Sequence, residues 1–379
     1  MDNNSRVTTV SVRPVHGRGE FARFINHPYA RHRADPHWVP PLRWGERERL
    51  MPRKNPFFEH ADVQLFLAWN GNRVAGRIGA IDDRLHLETH HDNAAMFGFF
   101  EADDSATATA LLATAESWAR ARGRQRLRGP INPSLNDNAG LLVDGFDTDP
   151  TILMPHNPRE YAGFIEAAGY RKAKDLFAWI YDVDREPPQT IARLAARLRS
   201  RVGLTIRPFN VAEFTREAVR LRELYNAAWE QNWGFTAPTP AEFARLAQEM
   251  KPIFDPRIAV CAEDQGRMVA CVVAIPDVNQ ALKGTGGTLL PTGLFKLLMR
   301  KRYINQARVL LVGIDPAYRW LGLYPLLMFE LHQQALAAGY KRLEFSWTLE
   351  DNRDVNQPAE QAGARRYKTY RIYEKALAP

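Results

Sequence analysis

Apolar and polar positions alternate in two successive stretches of this chain, and the two stretches follow the same order. In the first, VQLFLAW from Val63, then Asn70-Gly71, then RVAGRIGAID predict a β-hairpin, because Asn-Gly supplies the positive-φ turn that twisted strands need. MFGFFE (residues 96–101) predicts the next strand. Asp103 or Asp104 can cap the helix SATATALLATAESWARARG, which Gly123 ends. A loop dense in turn formers, GPINPSLNDNAGLLVDGF, precedes a helix, a turn at Ala168-Gly169-Tyr170 and the strand LFAWIYDV within residues 161–183.

The second stretch repeats this plan. RIAVCAEDQGRMVACVVAI predicts a second hairpin, and VLLVGID (309–315) stands where MFGFFE stood. The helix after it ends AAGYKRLEF against ARGRQRLRG, aligning Gly339, Arg342 and Leu343 with Gly123, Arg126 and Leu127. AGARRYK (362–368) matches AGYRKAK (168–174). Four collinear correspondences argue for duplication of a domain-sized unit. Glu186-Pro187-Pro188 breaks the chain, which predicts domains over 1–186 and 187–379. Residues 1–60, rich in Pro, His, Arg and Trp, are expected to form short strands and turns with aromatic anchors.

Composition narrows the class. With 379 residues, 45% hydrophobic and 25% charged, the chain reads as a soluble two-domain protein. No apolar run reaches the roughly 18–20 residues of a membrane span, and Met1–Ser5 shows no secretory pattern. Cys261 and Cys271 lie in apolar sequence without metal-ligand spacing and read as buried thiols in a reducing cytoplasm. His27, His32, His37 and His60 match no metal-binding spacing, so neither a metal nor a permanently bound cofactor is expected. The net charge, 51 − 43 = +8, admits an anionic cofactor, an anionic membrane or a nucleic acid as partner, or reflects an arginine-rich proteome.

The sharpest chemical signal is Val309 to Gly339: an apolar strand, the loop Ala317–Gly322 and a helix. The free N–H groups of a first helical turn and the helix dipole favour an anion there. Arg319 adds positive charge, and Gly322 lets backbone approach a ligand closely. The first copy has Ala-Asp-Asp at this point, which repels phosphate. One copy therefore keeps the donor site.

These residues resemble the GCN5-related N-acetyltransferase (GNAT) superfamily. Its signature, (Gln/Arg)-x-x-Gly-x-(Gly/Ala), appears as Arg319-Trp320-Leu321-Gly322-Leu323-Tyr324, over a similarity that is good across residues 205–379 and weaker across 60–183. The resemblance implies an α/β fold with a mixed (α+β) sheet, two tandem acyl-CoA N-acyltransferase units and a degenerate first unit. It implies acyl-CoA as co-substrate, held by Ile314, Arg319, Gly322, Leu323, Tyr324 and Asn352, the last of which can instead cap a helix. Two departures stand out. Tyr324 replaces a small residue, which modifies or blocks the donor site, and Ala359 stands where the family's frequent general-acid tyrosine falls. NPFFEH, GRI, FGFFE, GPINPSLND, YNAAWEQNWGF and YRIYEK together are similar to a bacterial family of tandem acyltransferase-like proteins that includes ceramide synthases, which N-acylate a long-chain sphingoid base. The rival readings are an aminoacyl-tRNA-dependent FemABX-like transferase and a non-catalytic acyl-CoA or lipid-binding protein. No DNA partner is expected.

N-acyl transfer needs a base for the amine, a polarised carbonyl and near-attack geometry. Glu350 is the favoured base and Asp315 its rival, each with an alternative as a turn or cap residue. Tyr367, Tyr370 and Tyr373 recur on the closing strand, and Tyr367 is a candidate to protonate the leaving thiolate. Trp229, Glu230, Asn232 and Trp233 form a polar and aromatic set suited to an amino-alcohol head. The loop residues Asn132, Ser134, Asn136 and Asp137 can complete the acceptor pocket from the first copy. GLFKLLMRKRY (293–303) and IARLAARLRSRV (191–202) are basic amphipathic segments able to lie on an anionic membrane, which gives a cytoplasmic protein peripheral to the inner membrane.

Overall fold

The computed structural model describes residues 10–201 and 203–378, so Met1–Ser5 and Val202 lie outside the described residues. Two compact units emerge: Met1–Asp175 with Tyr370–Pro379, and Leu176–Thr369. Against the expected division at 186/187, residues 176–186 join the second unit and the last ten join the first.

The first unit contains β1 (Ser11–Pro14), α1 (Gly17–Arg31), α2 (Arg43–Arg49), β2 (Ala61–Asn70), β3 (Arg73–Asp83), α3 (Arg84–His90), β4 (Ala94–Ala102), α4 (Ser105–Arg120), β5 (Arg126–Gly129), β6 (Leu141–Asp144), α5 (Glu160–Ala167) and the start of β7 (Arg171–Asp182). The second holds the rest of β7, α6 (Gln189–Arg201), β8 (Thr205–Pro208), α7 (Phe214–Trp229), α8 (Pro240–Met250), β9 (Ala259–Asp264), β10 (Arg267–Pro276), α9 (Asn279–Leu282), α10 (Thr292–Leu298), α11 (Arg300–Tyr303), β11 (Gln306–Ile314), α12 (Tyr324–Ala338), β12 (Arg342–Leu349), α13 (Arg353–Gln361) and most of the N-terminal half of β13 (Arg365–Ala376).

Each unit repeats one topology. Antiparallel β2-β3-β4 in the first and β9-β10-β11 in the second each lead, through a crossover helix, to a parallel partner, β5 or β12. The hairpin turns carry Gly71 and Gly266 at φ +60° and +80°. Asp104 caps α4 by accepting the Thr107 N–H at 2.8 Å. Apolar positions of α4 at helical spacing (Ala108, Leu111, Leu112, Ala115, Ala119) bury against Ile78, Phe97 and Leu127. The closing strand of each sheet comes from the other half of the sequence. β5 pairs antiparallel with Tyr373–Ala376, and β12 pairs antiparallel with Leu176–Asp182.

Residues 10–60 correct the expectation of strands and turns. Beyond β1 they are largely helical, because Phe21, Phe24, Ile25 and Tyr29 recur at the spacing of one helical face, and three of them are buried. Pro28 falls in the last turn of α1. The thiols of Cys261 and Cys271 are buried, free and opposite one another on β9 and β10, Sγ to Sγ 3.4 Å.

Candidate active site

The second unit contains a fork. β11 runs parallel to β12 from Gln306↔Arg342 to Val309↔Phe345, and there the pairing stops. β11 continues along β10 as far as Ile314↔Ala270, while β12 continues along β7 as far as Leu349↔Leu176. The edges that face each other beyond the fork therefore present backbone N–H and C=O groups into a wedge. A register shift on β11 leaves Leu310 as an extra residue at the fork, and Phe345 and Thr348 bracket a second shift on β12.

The expected phosphate loop lies at the open end of this wedge, directly after β11. Asp315 caps its turn by accepting the Ala317 N–H (2.9 Å) and pairs with Arg267. Tyr318 donates to Asp264 at 2.6 Å, so the loop is strapped to the β9–β10 turn. Gly322 takes φ +65°, and a Cβ there would meet nothing within 4 Å, so its surroundings are open. The first intrahelical bond of α12 runs from Leu327 N–H to the Leu323 carbonyl (3.0 Å). The N–H groups of Leu323, Tyr324 and Leu326 precede it, and Pro325 has none. Arg319 is exposed and donates to the Ala228 carbonyl at 2.8 Å, near the end of α7. Tyr324 is half-buried at the start of α12, and burial pushes its phenol up to about 12.

α7 covers one face of β11. A Cβ on Gly313 would touch Leu224 and Ala228. The Trp229 indole donates to the Val312 carbonyl at 3.4 Å and its ring packs with Tyr225 and Phe235. Glu230 is exposed at the end of α7, and Asn232 donates its N–H to the Trp229 carbonyl (2.8 Å). Trp233 is half-buried just beyond. Trp229 therefore reaches the wedge, and the other three line the chain that leaves it.

The candidate bases differ in position. Glu350 is half-buried in the turn after β12, five residues beyond the fork, about 17 Å at strand rise. Asp315 ends the opposite edge and already holds a cap and a guanidinium. Asn352 precedes α13 without capping it through its side chain. Tyr367 is half-buried on β13 beside the Lys368 ammonium, 5.5 Å from its ring. A period of three cannot hold one strand face. Tyr370 and Tyr373 are buried in the first unit, where Tyr373 donates to Glu166 at 2.9 Å.

One group escaped the sequence reading. Glu344 is fully buried on β12 beside Arg308 of β11, and their paired register places both at the last step before the fork. Arg308 Nε donates to Ser346 Oγ (2.9 Å), and Ser346 donates to Glu344 Oε2 (2.9 Å), with Arg308 Nε to Glu344 Oε2 at 3.5 Å. Phe345 and Tyr181 face His332 of α12, so alternation sends Glu344 and Ser346 to the opposite face. That is the α7 side, where Arg308 follows Cys271↔Gly313 and Val273↔Leu311 through Ile275↔Arg308. A charged residue inside each of two apolar strands, QARVLLVGI and RLEFSWTL, was the available signal.

No family profile matches the chain. The bacterial ceramide synthase of Caulobacter vibrioides (strain NA1000 / CB15N) is 41% identical to it over 387 residues, covering 100% of both chains. The chain belongs to the bacterial ceramide synthase family. Protein YghO of Escherichia coli (strain K12) is a further relative, 35% identical over 97% of this chain and 95% of its own. Among solved structures, a tandem GNAT protein from the clavulanic acid biosynthesis pathway superposes with TM-score 0.57 at 14% identity, over 98% of this chain and 99% of that one. A glucosamine N-acetyltransferase region of a fungal multi-domain β-N-acetylglucosaminidase gives 0.55 at 13%, over 99% of this chain and 39% of that one. This ceramide synthase family member is thus an N-acyltransferase built from two GNAT-like units.

Its first unit shows what degeneracy means physically. β4 and β5 pair in parallel only from Ala94↔Arg126 to Met96↔Arg128. The loop after β5 then fills the gap. Ile131 N–H donates to the Phe97 carbonyl at 2.8 Å, and Asn132 Oδ1 accepts the Phe99 N–H. A Cβ on Gly98 would lie 1.8 Å from the Ile131 carbonyl oxygen. Asn132 also donates to Asn138 (3.0 Å) and Ser134 to Asp137 (2.7 Å), with Asn136 half-buried between them. At the end of β4, the buried Glu101 meets His32 (2.8 Å), Tyr161 (2.9 Å) and Arg77 (3.7 Å).

Proposed function

We propose that this chain transfers the acyl group of an acyl-CoA to the amine of a long-chain sphingoid base. The observation that carries the reading is the fork between β11 and β12, whose pairing stops at Val309↔Phe345, with the Arg319–Tyr324 turn and the first amides of α12 beyond it. In this reading the donor's pyrophosphate rests on those amides and Arg319, and the pantetheine arm lies between the strand edges. The thioester then reaches the fork, where edge N–H groups polarise its carbonyl. The acceptor amine comes from the α7 side, past Trp229, Glu230, Asn232 and Trp233. It gives a proton to the carboxylate at the fork, Glu344. The nitrogen attacks the carbonyl carbon, the C–S bond breaks as the amide forms, and the leaving CoA thiolate takes up the proton that Glu344 received, which restores the carboxylate. Glu350, in the turn after β12, lies beyond the fork on the donor side in this reading, whereas Tyr367 sits on β13, which β7 separates from β12. A sphingoid acceptor is supported by the name of the Caulobacter relative and suits an enzyme working in the cytoplasm against the inner membrane.

The test is an acyl-CoA panel offered with sphinganine, small amines and peptide amines, with products read by mass. The expected result is amide formation with sphinganine and a rise in donor KM of about tenfold on Arg319→Ala. Failure of the protein to bind any acyl-CoA by calorimetry would make Tyr324 a block and refute the donor site.

A further inference from the structure

The two copies differ in the connection that leads into the fork strand. In the first unit residues 84–93 join β3 to β4; in the second, residues 277–305 join β10 to β11. That longer connection is anchored by buried Ala281, Leu282 and Ile304. Between the anchors it exposes large apolar side chains. Leu298 is 77% exposed, Leu290 67% and Phe295 57%, and Leu294 and Met299 are also exposed. The same segment carries Lys283, Lys296, Arg300, Lys301 and Arg302, and no Asp or Glu occurs between Asp277 and Asp315. The shorter connection in the first unit contains both Glu88 and Asp92. Of the two basic amphipathic segments in the sequence, the other is already used. α6 buries Ala195, and its Arg199 pairs with Glu330 of α12.

We propose that residues 289–303 dock this protein on an anionic lipid bilayer, with Leu290, Leu294, Phe295 and Leu298 inserted among the acyl chains and the cations on the headgroups. An exposed apolar cluster inside a region of one charge sign matches that surface at both levels. Its position suits a lipid reaction. β11 is nine residues long, about 30 Å, with the phosphate loop at its end and this segment at its start. A thioester laid along the strand from the loop points its acyl end toward the bilayer. This orientation rests on the proposed donor site, whereas the docking itself does not.

The experiment is flotation with vesicles of phosphatidylcholine alone and of phosphatidylcholine with phosphatidylglycerol. Wild-type protein should float with the anionic vesicles only, and added salt should weaken it. Phe295→Asp/Leu298→Asp should lower the partition by about tenfold per residue, and Lys301→Glu/Arg302→Glu by about fivefold per charge removed. These side chains are exposed, so both variants should keep the wild-type unfolding midpoint. A wild type that ignores anionic vesicles, or variants that float as well as wild type, overturns the proposal. Loss of amide formation on sphinganine with vesicle binding intact would instead count against the acceptor reading.

Discussion

Glu344→Gln separates chemistry from architecture at the fork. In the wild type the carboxylate and the Arg308 guanidinium are both buried and share Ser346, while Arg308 also lies 4.8 Å over the Trp347 ring. Neutralising Glu344 alone leaves a guanidinium buried without its counter-charge, a loss of about 3–5 kcal/mol. Against a total stability of about 5–15 kcal/mol, that is enough to shift the urea midpoint clearly. The double variant Arg308→Gln/Glu344→Gln removes both charges and should regain most of that stability, because the desolvation of each ion disappears with it. Thiol release from acyl-CoA, measured at saturating donor on both variants, then reports the chemistry. Loss of a general base lowers turnover by about 10²–10⁴-fold. The expected pattern is a stable double variant that remains slow. A double variant that recovers both stability and rate would show that the pair only holds the strands together, and the assignment of Glu344 would fall.

Gly98→Ala should destabilise the first unit by about 3 kcal/mol or more, since the added methyl meets backbone that cannot retreat; an unchanged thermal midpoint would mean that the loop does not fill the gap. Acid should weaken the same unit. Burial lowers His27 to about 4 from its ordinary 6.5, so the unfolded chain takes a proton that the folded one refuses, and stability falls as pH drops from about 6.5 to 4, by up to about 3 kcal/mol. Burial would raise Glu101, yet His32 and Arg77 override it and hold the carboxyl near 2, so a second loss begins below its ordinary 4.5. Denaturant midpoints between pH 7 and 4 check this, and a flat profile contradicts it.

Much of the fold was legible because its signals are local. Asn70-Gly71, the Asp104 cap, the Thr239–Glu242 capping box and Gly339 after α12 each state a turn or a helix end within a few residues. The strand, turn and helix around Arg319–Tyr324 were legible for the same reason, since they follow one another in sequence. Non-local features were hidden. Nothing within GPINPSLNDNAG says that it folds back onto Phe97 and Phe99, and nothing within RLEFSWTL says which cation sits beside Glu344. The helix at Gly17–Arg31 was missed for a different reason: the Pro-, His-, Arg- and Trp-rich composition of residues 1–60 points to strands and turns, whereas the stripe from Phe21 to Tyr29 has a core to bury against.

The closing strands carry a consequence for heredity. Duplication of a gene leaves two copies that can later drift apart, be lost singly or separate into independent proteins. Here that freedom is gone. A cut at the proline break after Glu186 yields one fragment whose sheet ends at β5 and another whose sheet ends at β12, each holding the strand that completes the other. Both would show a bare edge to solvent, the condition that drives aggregation. Expressed separately they should be insoluble, and expressed together they should rescue one another. The first copy is therefore kept whatever it binds, because the sheet of the second is closed by a strand that only its sibling encodes.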